Sequence, residues 1–68
     1  MDEEQFNMEL RKFLKRFGIS AQREIEKAAQ EGRMSGALAG AATLKVRAWL
    51  EIEGVHDALV IEEELPLP

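Results

Sequence analysis

All three phenylalanines of this chain fall within one stretch, Phe6 to Phe17, and at helical spacing. Phe6, Leu10, Phe13, Leu14 and Phe17 stand at i, i+4, i+7, i+8 and i+11, which places them on one side of an α-helix. Arg11, Lys12, Lys15 and Arg16 occupy the other side. Any core this chain builds has to use that stripe. The chain has 68 residues and no cysteine. A domain so small hides only about 60% of its unfolded surface, and it can add neither a disulfide nor a thiolate metal site. His56, the single histidine, does not make a zinc site alone. The remaining remedies are tight helix packing and self-association. A hydrophobic content of 46% belongs to a folded domain rather than a disordered one.

Charge narrows the function classes. The net charge is −4, and residues 1–34 are neutral with seven basic and seven acidic side chains. Residues 35–68 carry two basic and six acidic side chains, so the whole deficit lies there. Nucleic-acid binders show the opposite balance, because phosphate contacts require Lys and Arg. The acidic N-terminal stretch lacks a charged segment followed by an apolar one, so no signal peptide is expected. No apolar run approaches the ~18 residues of a membrane span. A cytoplasmic, soluble protein is the expectation.

Along the chain, the first helix is expected over residues 2–17, capped by Asp2 and ended by Gly18 in the left-handed conformation. Ser20 is then a candidate cap for a second helix over residues 21–31. Its capping box is half formed, since Arg23 stands where Glu or Gln belongs. Its apolar face, Ala21, Ile25, Ala28 and Ala29, is small enough for Phe13 or Phe17 to lie against it. Residues 32–42 hold glycines at 32, 36 and 40 and are expected as a connector. Residues 43–53 alternate with period two. Leu44, Val46, Ala48, Leu50 and Ile52 face one way; Lys45, Arg47, Trp49, Glu51 and Glu53 face the other. Gly54 to Asp57 is expected as the turn, and residues 58–65 as the second strand. That turn pairs Ile52 with Leu59, Leu50 with Ile61, Arg47 with Glu64 and Trp49 with Glu62. Glu63 is the misfit on the apolar face.

The expected fold is therefore α+β, ordered α-α-β-β, with two N-terminal helices on one face of a C-terminal antiparallel hairpin. Two unpaired hairpin edges further suggest a four-stranded sheet in a dimer joined through strand 43–53, where Lys45 and Arg47 meet Glu51 and Glu53 of the other copy.

Candidate sites are few. The basic stripe Arg11, Lys12, Lys15 and Arg16 is either an anion or nucleic-acid surface or an ordinary solvated helix face. The helix–Gly18-Ile19-Ser20–helix layout resembles the start of a helix-turn-helix, but its second helix is not basic and the hairpin is acidic. Glu62, Glu63 and Glu64 alternate in direction along a strand and do not converge on one cation. His56 and Asp57 lack a placed nucleophile, and no phosphate-binding loop follows Gly36 or Gly40. No catalytic residue, cofactor or metal site is expected. Trp49, beside Arg47, Lys45 and Glu51 on the face away from the helices, is the candidate partner-binding anchor, because tryptophan and arginine are enriched at interface hot spots.

Asn7 to Lys15, Asn-Met-x-x-Arg-Lys-Phe-Leu-Lys, followed by Gly18-Ile19 and the Ser-x-x-Glu-Ile-Glu segment Ser20 to Glu26, resembles a small bacterial family of about this length that is a domain of unknown function. The close likeness covers residues 6–28. It implies a compact protein of two helices plus strands, and no activity or site residue. The expected function is a non-catalytic protein–protein interaction or accessory module that self-associates. The alternative is a nucleic-acid-binding module using the basic side of the first helix.

Overall fold

The computed structural model describes residues 2–68, which form α1 (Glu3–Ser35), β1 (Thr43–Leu50) and β2 (Leu59–Pro66). The two strands make one antiparallel sheet, so the α+β class and the hairpin stand as expected. The helical part differs. One helix of 33 residues replaces the two expected over residues 2–17 and 21–31. Gly18 stays helical, since the only glycines with positive φ among the described residues are Gly36, Gly40 and Gly54.

The reason is phase. Leu10, Leu14, Phe17, Ala21, Ile25, Ala28 and Gly32 continue one stripe across position 18 without a break. One glycine inside a helix costs about 1 kcal/mol relative to alanine, whereas a break would strand backbone groups at two new helix ends. Ser20, without its reciprocal Glu or Gln, does not offset that. The helix-turn-helix layout goes with the break: residues 18–20 are helical.

The two ends of α1 are set locally. Asp2 has extended backbone (φ −82, ψ 113), and its carboxylate accepts from the backbone N–H of Glu4 at 2.9 Å and of Gln5 at 3.3 Å. Glu3 and Glu4 in the first turn add the favourable sign for the helix dipole. At the other end Gly36 takes φ +84, the left-handed stop that side-chain-bearing residues resist. The chain then turns back on itself. Leu38 donates its N–H to the Gly32 carbonyl at 3.0 Å, and its side chain covers Gly32. A β-carbon at 32 would come within 2.5 Å of it. The connector thus shrinks from the expected residues 32–42 to residues 36–42.

The hairpin returns along α1. β1 alternates between exposed and half-buried residues, with Leu44, Val46, Ala48 and Leu50 turned inward. The half-buried residues of the helix are Ala21, Ile25, Ala29 and Gly32, and Leu44 lines a groove with Ile25 and Ala29. Each strand is shorter than expected at the loop end, and the turn at 54–57 widens to a loop over residues 51–58. The register moves by two residues: Leu50 pairs with Leu59, Arg47 with Glu62 and Lys45 with Glu64. An even shift keeps every side chain on its expected face, so apolar alternation could not choose between the two registers. The observed one sets Lys45 and Arg47 each opposite a glutamate and sets Trp49 opposite Val60.

No residue of the described chain is fully buried. The phenylalanine stripe, expected as the core centre, is half covered: Phe13 stacks on Phe17 one turn along, with centroids 6.3 Å apart and rings 6° from parallel. They do not lie against a second helix, because Ala21 to Glu31 continue the same one. The molecule is extended, 51 × 24 × 16 Å, with a radius of gyration of 16.0 Å, against about 11 Å for a compact chain of this length.

Asp2→Ala and Gly36→Ala should each destabilise the chain by about 1 kcal/mol, or about 4–8 °C in the melting midpoint for a domain of this size. A thermal melt followed at a helical circular-dichroism band checks both. A raised midpoint for Gly36→Ala would mean that the helix does not end in the left-handed turn.

Candidate interaction surface

The hairpin has two different faces. On the outer one, Lys45, Arg47 and Trp49 of β1 stand beside Glu64, Glu62 and Val60 of β2. Arg47 Nε lies 3.2 Å from Glu62 Oε1, and Lys45 Nζ lies 4.0 Å from Glu64 Oε1. All four charged side chains are well exposed, so each pair contributes at most about 1 kcal/mol. Trp49 is 60% exposed, and its indole N–H donates to Glu51 Oε1 at 2.8 Å. The anchor candidates Trp49, Arg47, Lys45 and Glu51 thus form one strip, with Glu51 just past the end of β1.

The inner face is apolar and only half used. α1 covers β1 better than β2. Leu59 and Ile61, turned towards the helix side of the sheet, are 53% and 49% exposed. Glu63 shares that face opposite Val46, as its misfit position implied. Phe13, Leu14 and Phe17 of the helix and Ala48, Trp49, Leu50, Leu59 and Ile61 of the hairpin line a recess of about 160 Å³ that is almost wholly apolar. Nearer the start of α1, Phe6 and Leu10 are 54% and 40% exposed. The large apolar residues that looked like core in the sequence are therefore surface residues of the single chain. A signal for this was present: Ile25 is the one large residue among Ala21, Ala28 and Ala29, so half of the helix has little bulk with which to fill a core.

The other candidates build no enclosed site. Arg11, Lys12 and Lys15 line one open, shallow recess with Glu4, Asn7 and Met8, Arg16 lies outside it, and Lys12 Nζ is 3.4 Å from Glu9 Oε1. His56 and Asp57 sit in the exposed loop over residues 51–58. Glu62 and Glu64 point outward while Glu63 points inward, and among the described residues no group of acidic or histidine side chains is placed to hold a metal ion. No helix of the described chain is long and apolar enough to cross a membrane.

The surface area measures how open the molecule is. The chain exposes 6386 Å², against about 4,300 Å² for a compact monomer of its 7.7 kDa mass. The excess, roughly 2,000 Å², is of the order that obligate interfaces bury.

A sequence profile for a family of unknown function, DUF6494, matches residues 1–68. The chain belongs to that family. The segments Asn7–Lys15 and Ser20–Glu26 are thus part of a likeness that runs the length of the DUF6494 chain, beyond the third of it that they carry. No curated protein and no solved structure matches it.

Phe13→Ala discriminates between a core and a surface role. Phe13 is 42% exposed, so at high dilution the substitution should cost about 1–2 kcal/mol rather than the ~3–5 kcal/mol of a fully buried phenylalanine. Chemical denaturation at low micromolar concentration measures it.

Proposed function

We propose that this chain is a small non-catalytic protein–protein interaction module that works by self-association. The observation that carries the reading is the open apolar surface: a chain with no buried side chain among its described residues and 6386 Å² of accessible area has apolar faces that water does not stabilise. A two-stranded sheet is marginal on its own, and β1 and β2 each leave one edge without a strand partner. An exposed edge is a template for a further strand.

The joining edge in this reading is β1. Two copies of β1 paired antiparallel about a two-fold axis near Trp49, with residues 51–53 drawn from the loop to extend the strand, bring Lys45 and Arg47 opposite Glu53 and Glu51 of the other copy. Joining through β2 would instead gather Glu62, Glu63 and Glu64 of both copies, and Pro66 and Pro68 stand along that strand's end. A β1 pairing builds a four-stranded sheet with the two helices on one side. Trp49 then sits at the centre of the outer face beside its symmetry mate. A partner other than a second copy would use the same strip.

Binding of nucleic acid through Arg11, Lys12, Lys15 and Arg16 has less support, since the hairpin is acidic and Lys12 already faces Glu9. Light scattering behind a sizing column, run from low to high micromolar, should give twice 7.7 kDa. A 7.7 kDa species across that range would overturn the reading. Tight binding to mixed DNA and RNA that falls steeply with salt would favour the nucleic-acid alternative instead.

A further inference from the structure

We propose that a second copy of this chain docks on Phe6, Leu10, Phe13 and Phe17, the first halves of two α1 helices interlocking as a short antiparallel coiled coil with Glu9 of each copy against Arg16 of the other. The inference rests on the self-association reading and names the helix contact that goes with the strand pairing.

The first argument is spacing. These four residues are separated by four, three and four positions, the a/d repeat of a coiled-coil seam. They are 54%, 40%, 42% and 46% exposed, although Phe13 and Phe17 line the recess beside the hairpin. On a helical projection the seam lies about a quarter-turn from Ala21, Ile25 and Ala29, which are half-buried. The seam is also bounded. Its next positions are Glu3 at one end and Ser20 and Glu24 at the other, so four large side chains make up the whole of it.

The second is charge, and it selects both the occupant and its direction. With Leu10 and Phe17 at a and Phe6 and Phe13 at d, Glu9 and Arg16 fall at g, and Asn7 and Leu14 fall at e. Reversing one helix brings each flank of the seam against the same flank of the other, so g meets g. Glu9 of one copy then meets Arg16 of the other, and the two-fold axis makes the pair twice. A parallel pair brings g against e, and Glu9 would face Leu14. Glu9 also meets Lys12 of its own chain at 3.4 Å, and a carboxylate accepts from both.

The third is room. The antiparallel register sets Leu10 against Phe13 and Phe6 against Phe17 of the other copy. Phe17 lines the apolar recess of about 160 Å³, a volume that takes one aromatic ring, so the Phe6 ring of the second copy has a seat there. The surface in excess of a compact monomer, roughly 2,000 Å², is of the size a stable dimer covers. The strand pairing asks for the same direction. A two-fold axis normal to the sheet reverses α1 as it reverses β1.

Charge exchange on the full chain is the test, read by sedimentation equilibrium with circular dichroism to follow helicity. Glu9 and Arg16 are both exposed, so reversing them leaves the single chain folded. Glu9→Arg and Arg16→Glu should each weaken the dimer by roughly tenfold. The double variant Glu9→Arg with Arg16→Glu should return it to near the wild-type strength. Glu9→Arg with Lys12→Glu has the same net charge and keeps an ion pair within the helix, yet it should stay weak, because Lys12 stands away from the seam. Phe6→Ala should weaken the dimer by roughly tenfold or more. A dimer indifferent to Phe6→Ala and Glu9→Arg, or a double exchange with Arg16 no tighter than the single variants, overturns this inference and leaves self-association standing. A wild-type chain that stays single overturns both.

Discussion

The fold depends on one contact, the apolar side of α1 against the inner face of β1. A helix is about as wide as two strands, so one helix could in principle cover the hairpin. Here it sits towards β1, and β2 gains little. Leu44, Val46, Ala48 and Leu50 are drawn half out of water, while Leu59 and Ile61 are left in it. Three other features go with that lopsided layer: the absence of buried side chains among the described residues, the extended shape, and the apolar recess at the loop ends of the strands.

Much of the hairpin was legible in the residues. Period-two alternation assigned every side chain of β1 and β2 to its observed face, including the inward Glu63 and the outward Trp49, Arg47 and Lys45. The register was not legible to better than two residues, because an even slip leaves the apolar pattern intact. Two cross-strand ion pairs and the Trp49–Val60 pairing distinguish the observed register, and these are small terms beside the apolar pattern. The width of the loop over residues 51–58 follows from that choice.

The helical half was harder for a physical reason. Gly18 with Ile19 and Ser20 has the chemistry of a stop and a restart, and local rules favour a break there. The continuous stripe through Leu14, Phe17, Ala21 and Ile25 outweighs them, since a break turns those residues out of phase. The exposure of the phenylalanines was hidden for a related reason. A bulky amphipathic stripe looks the same whether it faces its own chain or another one. In this structure it is the surplus of surface, not the pattern, that separates the two.

If a second copy completes the core, folding and association are coupled, and stability becomes a function of concentration. The melting midpoint of the wild-type chain, followed by circular dichroism over about a thousandfold range of concentration, tests this most directly. The account predicts a midpoint that climbs steadily by several degrees across the range, with transitions that fit two-state dimer unfolding. A sharp, cooperative transition at the same temperature throughout would contradict it, because one helix on one hairpin would then suffice.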